Sequence, residues 1–505
     1  MVHARPLSGL DATFLHLETA RTPMHMGSVA VFEGGPLRDA GGRIRIERLR
    51  ADVEERLDLV PKLRQRVRRP FLGQVAPVWV DDEDFDVAAH MRVVALPKPG
   101  TTAQLARLSA EILAVPLDID LPLWQMWFVE GLSGGRVGLV EKLHHSLADG
   151  LGGVELATLL LDPGRRPRHL ASAPTPWHPE PVPGAMSLAA RDLSVATARL
   201  VRAGRLAARS MLAPVRTTRS GLRLVDGLSS VLPPGLLAPR SSVNTRIGQA
   251  RRVGFVRVAM EHLQAVERAH GVTINDVVLA AVTGGLRRLL VSRGEHLTGL
   301  ELQVLVPVGV PHDDGHALGN DVSAMLVRLP VWCADPGERL ALVAASAERA
   351  KRHGQAAAYR VLIDALDALP QPLLAGVAGV MQHQPVVNLV VTNVRGPASP
   401  LYAHGARMLE VYPIVPLAGN LSLGVAALSY DGHMHLGLYA DRDACPDVGV
   451  FAQGVRRSFA ELIGPLDTGR RSAARHEARP LEATAAPRPT RTPRGPRPAR
   501  AVGEE

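Results

Sequence analysis

Read for the spacing of its apolar positions, the chain opens as a series of alternating strands and helices. Met26–Phe32 reads as a strand, Ile46–Leu59 as a helix and Val78–Val80 as a short strand. Thr101 and Thr102 then cap a helix that carries Leu105, Leu108 and Ile112 on one face. After the turn Ser133-Gly134-Gly135, Arg136–Leu143 reads as a further strand, and Gly152–Leu160 reads as a helix behind it. A second series begins near Ser241. Val253–Val258 is a strand, Met260–His270 a helix, and Ile274–Leu290 a helix with Thr273 as the N-cap. Strands are expected at Leu302–Val308, Ala324–Leu329 and Val386–Val391, and a helix at Pro336–Arg352. Leu421–Leu428 and His433–Leu438 form a hairpin about Asp431-Gly432. A helix over Pro446–Ile463 closes the series.

Strands alternating with helices indicate an α/β fold, and 505 residues exceed a single ordinary core. The pattern divides the chain into a domain at 1–162, a linker and crossover at 163–240, a domain at 241–465 and a tail at 466–505. Within the crossover, Arg191, Arg199, Arg202, Arg205 and Arg209 share one helical face and Leu193, Leu200 and Met211 the other. That segment is either a crossover helix packed on the protein or a helix lying on acidic lipid. The tail holds nine arginines against five acidic residues from Asp467 onward, has little to bury, and is expected to be disordered.

Composition narrows the function classes. A formal net charge of +9 favours anionic partners, but aromatics are 4% and no stacking motif is present, which argues against nucleic acid. Two distant cysteines, Cys333 and Cys445, fit a reducing cytoplasmic location and argue against a disulfide scaffold or structural zinc. The N-terminus lacks a signal-peptide core, and the longest charge-free stretches are broken by proline, so any membrane contact is expected to be peripheral.

The chemistry concentrates in His144-His145-Ser146-Leu147-Ala148-Asp149-Gly150, where a strand gives way to a glycine-rich turn. Histidine titrates near neutral pH, a carboxylate can orient it, and glycine admits close approach. No metal-ligand spacing accompanies the pair, and the plain alternative is two core histidines satisfied by hydrogen bonds.

Several separated motifs carry a wider resemblance. They are Pro6-Leu7-Ser8-Gly9-Leu10-Asp11-Ala12-Thr13-Phe14-Leu15 with Thr22-Pro23-Met24-His25-Met26-Gly27, Pro122-Leu123-Trp124, Thr273-Ile274-Asn275-Asp276-Val277-Val278-Leu279-Ala280, Gly319-Asn320, Asn388–Val394, and Ser429-Tyr430-Asp431-Gly432 leading to Ala440-Asp441-Arg442-Asp443. Over residues 5 to 465 the chain resembles the bacterial wax ester synthase/acyl-CoA:diacylglycerol acyltransferase family. Arg395 is a departure, adding a charge beside a turn, and the basic tail lies outside the family core.

The resemblance implies two similar CoA-dependent acyltransferase-like domains, each a mixed sheet with helices, and a channel between them. It implies acyl transfer from acyl-CoA, a co-substrate rather than a tightly bound cofactor, to diacylglycerol or a long-chain fatty alcohol, at a membrane or lipid-droplet surface. His145 is then the general base. His144 supports it, Gly150 permits the turn, and Asp149 braces the loop through a basic residue rather than relaying a proton. Oxyanion candidates are Asn275, Thr392 and Asn393, with Asn275 equally readable as a first-turn polar residue. Trp124 is a packing residue or a wall of the acyl channel. An apolar tunnel over 373–381 and 411–425 is expected, with ordinary core as the alternative for any one residue. The CoA phosphates would meet arginines or lysines that the sequence does not single out. Rival readings are a condensation-type acyltransferase with another acceptor and a non-catalytic lipid-binding protein of the same fold.

Overall fold

The computed structural model describes residues 5–69, 76–148, 150–167, 237–309, 322–352 and 369–477, with scattered positions between 177 and 197. Asp149, Gly319-Asn320, most of the basic crossover and the tail beyond 477 lie outside the described residues.

Met1–Ile463 forms one compact unit, and Gly464–Glu505 a second. Within the first, two six-stranded sheets carry the fold. One runs in the order Tyr402–Ala403, Ala406–Ile414, His25–Phe32, Val137–His144, Trp124–Glu130, Met91–Ala95. The other runs Val322–Pro330, Glu301–Gly309, Leu389–Arg395, Leu423–Tyr430, His433–Asp441, Arg251–Ala259. Each contains both parallel and antiparallel pairs, so the mixed α/β architecture expected from the alternating pattern is present. A small third sheet joins Arg5–Pro6, Val78–Asp81 and Gln65–Arg68.

The division at 162 and 241 fails at one place. Ala406–Ile414, deep in the second series, pairs antiparallel with His25–Phe32 and completes the first sheet. Alternation identifies a strand but not its partner, because period 2 carries no information about the neighbouring chain. The donated strand also touches the other sheet closely: a Cβ on Gly437 would stand 1.8 Å from the Pro413 carbonyl oxygen. Only glycine fits there.

Local chemistry sets the element ends. Thr101 with Gln104 and Thr273 with Asp276 form capping boxes, and Gly271 closes Met260–His270 in the left-handed conformation. The Asp431-Gly432 turn has positive φ at both residues, as the hairpin demands. Two boundaries move. The helix expected over Ile46–Leu59 stops at Glu54 and gives way to short turns ahead of Pro61. The strand expected at Val386–Val391 is Leu389–Arg395, because the Asn388 side chain bonds Pro239, Asn244 and Gln303 and takes its segment out of the ladder. The closing helix runs Val448–Glu477, past Pro465, where disorder was expected. Alanine and arginine in that stretch are strong helix formers.

Where the sheets meet, His435 is buried among Tyr412, Tyr430 and His433, and neither ring nitrogen has a partner among the described residues. Burial, with the nearby Arg257 and His433, pulls its pKa down to about 3. The unfolded chain therefore binds the proton first, and stability falls as pH drops below about 6.5. For this residue the loss is about 2 kcal/mol at pH 5. His435→Leu should flatten the denaturation free energy between pH 7 and 5 by that amount, and an unchanged slope would refute the assignment.

Candidate active site

The Val137–His144 strand delivers the histidine pair into a turn that is tied on every side. His25 lies opposite His144 in the ladder. Ser146 donates its backbone N–H to His144 Nδ1 (3.1 Å), so Nδ1 is the accepting nitrogen and Nε2–H faces Glu18 Oε2 at 3.0 Å. Glu18 also accepts the Met24 N–H, and His145 donates its own N–H to the Met24 carbonyl at 2.9 Å. Lys62, half-buried and lying over the Trp79 ring, donates to the Leu147 carbonyl (3.0 Å). Burial lowers the Lys62 pKa, partly offset by Asp11. Lys62 therefore braces the turn through its backbone, while Asp149 and any basic partner it has lie outside the described residues.

The two histidines differ sharply. His144 is fully buried, whereas His145 is half-buried and stacks on Phe14, with ring centroids 4.1 Å apart and planes at 20°. Phe14 stands on the Gly9–Leu17 helix, whose N-cap is Ser8. The sequence reading singled out neither Phe14 nor Glu18. Phe14 lies within the opening motif and Glu18 just past it, but only tertiary packing brings them to the turn. Behind them His25 bonds the Leu113 carbonyl at 2.9 Å. Burial, with Lys142 next to it, holds His25 neutral well below its ordinary range. Burial also lowers Lys142 to about 8, and its ammonium donates to the Val115 carbonyl.

An apolar cavity of about 160 Å³ lies along the same sheet. Trp124, Leu143 and Val411 line it from the first sheet and Leu156 from the Gly150–Leu160 helix, and Thr392 and Val394 come from the second sheet. Trp124 is buried, stacks on His90 and donates Nε1–H to the Leu63 carbonyl (2.7 Å), so it is both packing residue and wall. Thr392 faces the cavity. Asn393, next along the strand, points the other way, and its Nδ2 stands 3.5 Å from Asn275 Oδ1. The two asparagines are brought together, and Thr392 is separated from them by the strand's alternation. Gly150 begins the helix Gly150–Leu160. Segment 373–381 does not join this cavity. It is the helix Gln371–Met381, packed on Gly9–Leu17 through Leu374 and Val377.

Candidate nucleophiles are withdrawn from substrate. Ser146 is fully buried with its hydroxyl on His144 Nδ1 (2.7 Å). Cys333 and Cys445 are buried free thiols, and burial pushes Cys445 up to about 12. Among the described residues no group of histidine, cysteine and acidic side chains is placed to hold a metal ion, and no helix is long and apolar enough to cross a membrane.

Family models match two stretches: the wax ester synthase/diacylglycerol acyltransferase catalytic domain over residues 7–278 and the WS/DGAT C-terminal domain over 318–463. A probable diacylglycerol O-acyltransferase of Mycobacterium tuberculosis is 34% identical over 466 residues, covering 90% of this chain and 95% of its own. A putative diacylglycerol O-acyltransferase of the same species is 33% identical over 472 residues, 90% of each chain. The solved wax ester synthase/diacylglycerol acyltransferase from Marinobacter aquaeolei VT8 superposes with a TM-score of 0.64 at 26% identity, covering 92% of this chain and 100% of that one. A starter condensation domain of rhizomide synthetase, solved in complex with C8-CoA, shares the fold at 14% identity, with a TM-score of 0.52 over 91% of this chain and 94% of that one.

Proposed function

Because the chain belongs to the wax ester synthase/diacylglycerol acyltransferase family and is an O-acyltransferase, we propose that His145 is its general base, with acyl-CoA as donor and diacylglycerol or a long-chain alcohol as acceptor. The observation that carries this reading is the contrast within the pair: His144 is spent on Ser146 and Glu18, while His145 is partly exposed on a braced turn.

His145 takes the acceptor hydroxyl's proton as the oxygen attacks the thioester carbonyl. The carbonyl oxygen becomes an oxyanion, for which the proposed donor is Thr392 on the cavity side of the strand or, as the alternative, the Asn275 and Asn393 pair on its other side. Collapse of the tetrahedral intermediate breaks the carbon–sulfur bond, and the imidazolium returns its proton to the departing CoA thiolate. No acyl-enzyme forms, in keeping with the burial of Ser146 and both cysteines. CoA as donor is supported by the shared fold of the condensation domain solved with C8-CoA. Asp149 and Gly150 stay in this reading as loop-shaping residues. The test is release of free CoA from palmitoyl-CoA with diacylglycerol or hexadecanol as acceptor. No ester with any alcohol tried would overturn it.

Both acceptors partition into lipid, so the reading includes peripheral contact with a membrane or droplet surface. Its support is the Gln371–Met381 helix, whose exposed positions are all apolar, with Leu373 59% and Val380 74% exposed. Its inner face packs against Phe14, the partner of His145. Replacing Leu373, Val380 and Met381 together by serine should lower co-sedimentation with diacylglycerol-containing vesicles about tenfold. Turnover of a detergent-dispersed acceptor should stay intact. Undiminished co-sedimentation would remove this helix from the contact.

A further inference from the structure

Among the mostly apolar residues lining the cavity, Glu141 is the one acid. Strand alternation turns Leu139, Glu141 and Leu143 to the same side of the first sheet, and the register sets Ser28, Ala30, Met126 and Phe128 around them. Of these only Ser28 and Glu141 are polar. Ser28 Oγ donates to Glu141 Oε2 at 2.6 Å, and among the described residues no donor reaches Oε1. Glu141 keeps some accessible surface, and it lines the cavity. An apolar tunnel that merely held hydrocarbon would be better served by leucine at this position, since a carboxyl facing methylenes loses hydrogen bonds to water and gains none.

From Glu141 and Ser28 in this cavity we infer that the tunnel is built for a lipid chain carrying a hydroxyl group, whose O–H donates to Glu141 Oε1. The hydroxyl is the fitting group because a carboxyl oxygen accepts from it whether or not the carboxyl is ionised. Burial raises the Glu141 pKa, with the Ser28 hydrogen bond opposing, which suits an enclosed acid. Glu141 stands four residues before His145, about 13 Å along the strand, so the hydroxyl belongs in the middle of the chain and not beside the reacting carbonyl. Glu141 is thus a specificity-determining residue rather than a catalytic one.

The inference rests on the acyl-transfer reading for the identity of the chain, which belongs either to the acyl donor or to the acceptor. Two pairings separate these sources: mid-chain-hydroxylated octadecanoyl-CoA against octadecanoyl-CoA with hexadecanol as acceptor, and a long-chain diol against the matching mono-alcohol with palmitoyl-CoA as donor. In one pairing, wild-type full-length enzyme should prefer the hydroxylated member, and Glu141→Leu should reduce that preference about tenfold through KM, with kcat little changed. Glu141→Gln, which keeps an acceptor oxygen, should retain most of it. Equal preference in wild type and Glu141→Leu in both pairings, with ester still formed, would overturn the inference. Equilibrium binding of the radiolabelled diol and mono-alcohol repeats the comparison without turnover. It decides the role of Glu141 even if no ester is made, an outcome that would count against the acyl-transfer reading alone.

Discussion

His145→Ala should lower CoA release by about 10²–10⁴-fold, the contribution of a well-placed general base. The loss should appear in kcat with KM for acyl-CoA nearly unchanged, because the imidazole acts on the acceptor's proton and not on binding the thioester. His144→Ala should also cost activity, but by a different route. It leaves Glu18 and Ser146 without the ring that joins them and loosens the turn, so the protein should lose thermal stability as well as rate. The His145 ring is half-buried and stacks on Phe14, so its replacement should be milder on stability than that of the fully buried His144. Melting curves beside initial rates separate the two. Transfer that survives His145→Ala at wild-type rate would remove it as the base.

The second large effect is structural. Asp441→Ala should lower the free energy of unfolding by about 3–5 kcal/mol, as expected when one member of a buried ion pair is removed. Asp441 Oδ2 accepts from Arg251 at 3.2 Å and from the Gly248 N–H, and its Oδ1 accepts from the Asp443 and Ala444 N–H groups. Both side chains of the pair are essentially sealed from solvent. Arg251 also donates to the Arg21 carbonyl, which ties the second sheet to the chain entering the His25 strand. Losing the carboxylate would strand a guanidinium and free three backbone donors. Urea denaturation followed by circular dichroism measures the change. The exposed Asp443→Ala, with a shift within about 0.5 kcal/mol, is the control. A shift of that size for Asp441→Ala would show that the network is not what holds the sheets.

Much of this was legible in the sequence, for physical reasons that differ between residues. Met260–His270 and Pro336–Arg352 were read to their ends because amphipathic period and end signals are local. Thr273 was legible as an N-cap for the same reason. The strands Met91–Ala95, Trp124–Glu130 and Ala406–Ile414 were missed: five residues is a short signal, and Trp124 was read as part of a motif. The site divides likewise. His145 was visible as chemistry and the resemblance already set it apart from His144, but the physical basis, the His144 bond to Glu18, joins residues 126 apart in the chain. Glu141 was legible as an acid in a strand, but its meaning depends on Ser28, which faces it only once the register is fixed.

The donated strand has a bearing on how this chain is made. The Arg407 N–H bonds Glu33, 374 residues earlier in the chain. At synthesis rates of about 5–20 residues per second, the His25–Phe32 strand waits roughly 20–75 s on the ribosome before its neighbour exists. Throughout that interval it is an open edge of apolar residues, the kind of surface that recruits stray strands. Construction of the histidine turn therefore starts early, but the sheet behind it closes late, and the nascent chain carries an open strand edge through most of its synthesis.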